Sequence, residues 1–284
     1  MVDHSLPPLP SFAAGHDPGP SFLDLLRRVS PHAVGPPGVS TGVPGAVPAD
    51  FGPSVMAVVI HGTTVVAIRA AGGVVMAGDR RATAGNQIAS RRIEKVFPAD
   101  DHSGVAIAGA AGPAVDMVRL FQVQLEHYEK IEGESLTLEG KANQLSQLVK
   151  ANLPAAMQGF VVVPLFAGYD ERREEGRVFS YDATGGRYEE IDFQAHGSGG
   201  VHARNWIKAS WRADLSTDDA VGLALRALFA AADEDTATGG PDLIRRIYPT
   251  VAVIEAAGYR ALADDDVANR ADAEIGGREE GSGL

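Results

Sequence analysis

The sequence predicts an α+β fold in which sheets are covered by helices on their outer faces. Three observations carry this. β-rich runs come first, then a helical pair, strands, a second helical pair and a last strand, an order that suits layered packing. Hydrophobic residues make up 45% of the 284, enough for a sizeable core. One strand candidate, "GVAIAGA", is a short and wholly apolar run, as a buried strand is.

The elements follow in chain order. "TTVVAIRA" and "GVVMAGD" are β-rich and separated at Gly72-Gly73, a hairpin signal. "GVAIAGA" (104–110) is a short buried strand. Pro113 opens a helical pattern through Val115, Val118, Phe121, Leu125 and Tyr128. A second helix spans roughly 135–157. "FVVVPLFAGYD" (160–170) and "RVFSYDA" (177–183) are strands around a charged turn. Helices are expected over 200–212 and 217–234, and "TVAVIEA" (250–256) is a late strand.

The two ends differ from this body. Residues 1–62 hold 11 of the 17 prolines and 8 of the 33 glycines, too many for a packed domain. Within them "SFLDLLRRV" (21–29) spaces Phe22, Leu25, Leu26 and Val29 helically. Two readings stay open here: a flexible leader carrying one docking helix, or a disordered tail with a chance apolar turn. Residues 63–262 form the globular body. Residues 263–284, with seven Asp or Glu, are expected to be a flexible acidic tail.

Bulk chemistry excludes several functions. There is no cysteine, so disulfides and thiolate metal sites are excluded and a reducing cytoplasm fits. A net charge of −12 argues against nucleic-acid binding. No apolar run reaches the length of a membrane span, and no basic region followed by an apolar one marks a secretory signal. The eight histidines form no metal-ligand pattern, and no phosphate-binding Gly-x-x-x-x-Gly-Lys loop occurs, so no metal or cofactor is expected. "GVSTG" (38–42) matches a serine-hydrolase elbow but lies among prolines rather than between strand and helix.

The informative stretch is "VVIHGTTVVAIR" (58–69), a strand interrupted by Gly-Thr-Thr. We read Gly62–Thr63 as a cut site. A threonine hydroxyl needs a base, and an N-terminal threonine carries one in its α-amine. That amine has a pKa of about 7.7–8.0, suited to general base work near neutrality. Before the cut the same nitrogen is a non-basic amide, so the leader silences the site. Glycine before the threonine permits the backbone approach that attack on its own peptide bond requires. His61 leaves with the leader and has no catalytic role. Asp79 in "AGDRRAT" and Lys95 in "RRIEKVF" follow 16 and 32 residues after Thr63. Alone they read as a turn residue and a solvated charge. With Thr63 they form a workable triad, in which the ammonium stabilises developing alkoxide and the carboxylate orients the lysine.

"HGTTVVA", "VVMAGDRRAT", "IEKVF", "AGAAG", "LEHYEK", "AAMQG", "HGSGG" and "DTATGGPDL" run in order along the chain. Over about residues 55–260 this resembles the catalytic β subunit of the 20S proteasome, actinobacterial type. The resemblance implies a four-layer αββα sandwich, the N-terminal-nucleophile hydrolase fold, and a self-activated threonine endopeptidase. Carried over by motif, Thr63 is the nucleophile and Asp79 and Lys95 its acid–lysine pair. Ser198 and Asp235 are the hydrogen-bonded pair beside the threonine amine, and the Gly109 N–H is the oxyanion donor. Thr83 and Ala111 pair with an extended peptide. Ile93, Ile107, Ala111 and Val115 wall an apolar specificity pocket. The sequence departs at Thr238, where the family often has serine. The resemblance further implies homo-heptameric stacked β rings, capping α subunits, a ring ATPase, and protein substrates tagged with a ubiquitin-like protein. A heat-shock-locus V type peptidase, a non-catalytic structural β subunit and a small-amide hydrolase are the alternatives. The leader and the length count against the first, and the intact Thr63, Asp79 and Lys95 against the second. Activity on small amides but not peptides would mark the third.

Overall fold

A computed structural model describes residues 60–281. The leader reading for 1–62, apart from its last three residues, and the 21–29 helix lie outside the described residues. A two-residue strand, β1 (Ile60–His61), precedes the hairpin of β2 (Thr64–Ala70) and β3 (Gly73–Gly78). Next come β4 (Ala82–Ala84), β5 (Gln87–Ser90), β6 (Val96–Asp100) and β7 (Ser103–Gly109). The first helical group is α1 (Ala111–Glu132), α2 (Leu138–Ala151) and the one-turn α3 (Leu153–Ala156). Then follow β8 (Val162–Asp170), β9 (Glu175–Tyr181), β10 (Arg187–Glu190) and β11 (Phe193–Gly197). Helices α4 (Gly200–Ser210) and α5 (Thr217–Glu234), strands β12 (Thr250–Glu255) and β13 (Gly258–Ala261), and helix α6 (Asp264–Gly281) complete the chain.

Two five-stranded antiparallel sheets dominate, in the orders β11-β2-β3-β12-β13 and β10-β9-β8-β7-β6; β1-β4-β5 forms a small third sheet. Alternation along the strands builds three cores. On β2, Val65 and Ala67 point between the sheets while Val66 and Ile68 point outward to α4, α5 and α6. On β7, Ala106 and Ala108 face the inter-sheet core while Val105 and Ile107 face α1 and α2. Both faces of each sheet are thus buried, which explains the continuous apolar runs. The layers are helix, sheet, sheet, helix: the αββα sandwich.

Local chemistry sets the boundaries. Helix α1 begins at Ala111 and takes Pro113 in its first turn, where an N–H has no intrahelical partner to lose. It runs past Tyr128 to Gly133, which closes it at φ 75°. The expected 135–157 helix is two: Thr137 caps α2 by accepting from Gly140 N, and Asn152 ends it before Pro154. One expectation is corrected. The segment from Asp264 is helical to Gly281, and Val267, Ala268 and Ala271 are buried in the outer core of the first sheet. Three acidic residues in its first turn suit a helix N-terminus, so its acidity favours the helix instead of solvating a tail. Among the described residues no helix is long and apolar enough to cross a membrane.

Candidate active site

Strand ends assemble the site. Thr63 precedes β2, Asp79 follows β3, Lys95 precedes β6, Gly109 ends β7 and Ser198 follows β11. Antiparallel pairing brings these starts and finishes to one end of the two sheets. Ladder hydrogen bonds extend past the strands to hold them: Ser198 N donates to Thr63 O at 2.9 Å, Asp79 N to Thr64 O at 3.1 Å, and Ile107 N to Lys95 O at 2.8 Å.

Asp79 is fully buried, and four donors meet its carboxylate. Oδ1 accepts from Lys95 Nζ at 2.6 Å and Thr64 N at 2.7 Å. Oδ2 accepts from Arg81 N and Gly239 N, both at 2.8 Å. An unpaired buried carboxylate would be costly; this one is fully matched. Lys95 is 2% exposed, and its three protons find three acceptors: Asp79, Arg81 O at 2.6 Å and Gly62 O at 3.2 Å. Burial pushes its ammonium below the usual lysine range, against the pull of Asp79.

The Gly62–Thr63 peptide sits against this pair. Thr63 Oγ1 donates to Gly62 O at 2.7 Å, so that carbonyl accepts from both the hydroxyl and the Lys95 ammonium. Gly62 has φ 113°, a region L side chains rarely enter, and an added Cβ would overlap Thr83 Oγ1. Upstream, β1 runs antiparallel along β4, with Ile60 opposite Ala84 and His61 opposite Thr83.

On the other side of Thr63, Ser198 Oγ donates to Asp235 Oδ2 at 2.5 Å and lies 3.4 Å from Thr63 O. Asp235 caps the end of α5 and also accepts from Thr238 Oγ1 at 2.6 Å and Ala237 N at 3.1 Å. Burial would raise this carboxyl, but the Ser198 and Thr238 hydroxyls and the Ala237 N–H outweigh it and hold it below the usual carboxylate range. The buried Thr238 hydroxyl is shared with Thr64 Oγ1 at 2.6 Å, and Gly199 N donates to Thr64 Oγ1 at 3.0 Å. The position that departs from the resembled motif therefore keeps its hydroxyl contact.

A mostly apolar hollow opens at Gly62 and Thr63. Ile93, Ile107, Gly109 and Ala111 line it, with Ala82 and Ala114 added to the expected set. Val115 follows Ala114 and packs against the core beneath α1. A family model described as "Proteasome: Proteasome subunit" matches residues 59–244. The chain belongs to the proteasome subunit family. It is 58% identical over 256 residues to the proteasome subunit beta of Acidimicrobium ferrooxidans, covering 90% of this chain and 89% of that one. It is 52% identical over 263 residues to the proteasome subunit beta of Frankia casuarinae, covering 93% and 92%. With that of Streptomyces griseus it shares 55% over 248 residues, covering 87% and 84%. Within the proteasome family its similarity is thus to β subunits, over nearly whole lengths.

Sequence reasoning missed several members of this proteasome-family site. The Arg81 carbonyl and N–H, the Gly239 N–H and the Thr64–Thr238 hydroxyl pair all bear on Asp79, Lys95 or Asp235. Backbone groups leave no residue-type signal. The Gly239-Gly240 dipeptide entered the sequence reading only as part of the motif "DTATGGPDL".

Proposed function

We propose that this proteasome-family chain is a threonine endopeptidase activated by cutting its own Gly62–Thr63 bond. The observation that carries the reading is the shared Gly62 carbonyl, which meets Thr63 Oγ1 at 2.7 Å and the buried Lys95 ammonium at 3.2 Å. In self-cleavage the Thr63 oxygen bonds to the Gly62 carbon while Lys95 polarises the carbonyl. The C–N bond breaks, the nitrogen takes a proton, and an ester joins Gly62 to the Thr63 side chain. Water hydrolyses it, releasing residues 1–62 with a Gly62 carboxylate and leaving Thr63 with a free amine.

In the mature chain that amine is the base. It takes the Thr63 hydroxyl proton as the oxygen attacks a substrate carbonyl, and passes it to the leaving amine. Asp79 holds Lys95 charged and in place. Ser198 and Asp235 position the amine and the hydrolytic water, and Gly109 N–H faces the oxyanion. The substrate takes the β1 path, paired with Thr83 and reaching Ala111, with an apolar side chain in the hollow of Ile93 and Ile107. Val115 supports that wall from behind.

Membership of the family supports assembly with other proteasome subunits. The finer reading is homo-heptameric β rings, stacked and capped by α subunits, in the cytoplasm. A ring ATPase would feed protein substrates carrying a ubiquitin-like tag. The test is the intact mass and N-terminal sequence of the chain after co-expression with an α partner. A start at Thr63, lost in Thr63→Ala, is the expected result. A chain still carrying residues 1–62 inside an assembled particle overturns the reading.

A further inference from the structure

Resting on the peptidase reading above, we propose that the hollow between β7, β8, β11 and the start of α4 is the subsite for the first residue on the leaving-amine side of the scissile bond. It takes an uncharged aliphatic side chain, and Val201 at its rim sets that preference.

Continuity with the Thr63 hollow is the first argument. Ala108 and Gly109 line both, so the two spaces flank the same turn of chain. Gly197 on the opposite wall precedes Ser198, whose N–H is bonded to Thr63 O. The acyl side of the site is already accounted for, because β1 runs along β4 and delivers Gly62 to Thr63. A peptide on that path leaves Thr63 toward the remaining adjoining space. The hollow lined by Arg80, Arg81 and Arg91 is not that space: it shares no wall residue with the one at Thr63 and lies with Gly239, on the Oδ2 side of Asp79.

Chemistry of the wall is the second argument. The hollow is about 340 Å³, large enough for a branched side chain. Val163, Val201, Ala108 and Ala195 supply apolar surface, and Gly109, Gly197, Gly200 and His196 the rest. Among the described residues, His196 is the only titratable one in the lining. Burial pushes its imidazole down, against a hydrogen bond to the Val163 carbonyl, and its buried Nδ1 has no partner among the described residues. A proton there would be buried unpaired, so the wall is neutral at working pH. A leaving residue carrying a charge would lose water and meet no charged group in the wall itself, since Glu190 and Arg204 act on His196 from outside it.

The test uses the assembled, mature particle and peptides identical on the acyl side, with Gly, Ala, Leu, Lys or Asp at the leaving position. Relative kcat/KM is read by mass spectrometry. We expect Leu to exceed Lys and Asp by about tenfold, the scale of a few buried methylenes. Val201 is 67% exposed in the first turn of α4, where a carboxylate suits the helix, so Val201→Asp leaves the fold intact. It should shift the Lys-to-Leu ratio about threefold to fivefold toward Lys, as an exposed ion pair allows, with acyl-side preference unchanged. A parent profile without aliphatic preference, or a Val201→Asp profile that superimposes on the parent, overturns the subsite while the peptidase reading stands. A parent that cleaves no peptide at all removes both.

Discussion

A methyl group at residue 62 meets two obstacles at once, the φ of 113° and the Thr83 hydroxyl. Gly62→Ala should therefore displace the carbonyl from Thr63 Oγ1 and Lys95 and slow leader release at least about tenfold; leaving the preferred backbone region alone costs roughly 1–2 kcal/mol. A mass-spectrometric time course reads the rate, and unchanged release would mean the observed approach is not the reactive one. Asp235 tests the opposite flank. Its carboxyl is held below the usual range, so folding favours the ionised form. That stabilisation is fully present above the unfolded value of about 3.9 and is lost as pH falls through the lower folded value. Asp235→Asn should cost about 1–2 kcal/mol at neutral pH, the scale of charge-assisted hydrogen bonds, and less in acid, once the pH falls through the lowered folded value. Denaturant unfolding at both pH values measures it; an equal cost at both would remove the charge from the explanation.

Elements show what a sequence can and cannot disclose. β2, β3, β7, β8 and β12 were legible because their two faces meet two different cores, leaving few polar residues, such as Arg69 near the end of β2, to interrupt the run. β4, β5, β10 and β13 were not, because each is three or four residues long and partly or largely exposed. Their identity comes from the ladder each makes with its neighbour, β4 with β5, β10 with β9 and β13 with β12, which no residue pattern announces. Asp79 and Lys95 were legible by spacing and resemblance, whereas the backbone donors that complete the Asp79 shell required the fold. Helix α6 was misread because its acidic composition hides a buried stripe that, among the described residues, comprises Val267, Ala268 and Ala271. Arg226 clamps Glu274 at 2.7 Å through both carboxylate oxygens. Truncation after Ala263 should thus destabilise the chain by about 3 kcal/mol, chiefly through burying Val267 and its neighbours. A solvated tail would give no change in the unfolding midpoint.

At the scale of the molecule, the site lies at one end of a sandwich whose two sheets come into backbone contact near the other. Gly176 on β9 lies so near Gly73 at the start of β3 that an added Cβ would overlap the Gly73 carbonyl oxygen. Six residues of β3, at about 3.3 Å each, put this contact some 20 Å from Asp79. Gly176 carries no left-handed φ, so Gly176→Ala acts only as a wedge of backbone against backbone. Such overpacking costs about 3 kcal/mol, which lowers the Tm of a chain this size by about 6–12 °C. The donors to the Asp79 carboxylate, Thr64 N, Arg81 N, Gly239 N and Lys95 Nζ, all lie at the far end of β3 from the wedge, which meets only Gly73 and Val74 at its start. Leader release measured well below both midpoints should therefore proceed at the parental rate while the Tm falls. An unchanged Tm would mean the sheets are not in contact at Gly176. A release rate that falls with Tm would mean that the strand-end site depends on the inter-sheet distance across the whole sandwich, and that strain at the closed end reaches Lys95 through β3 and β6.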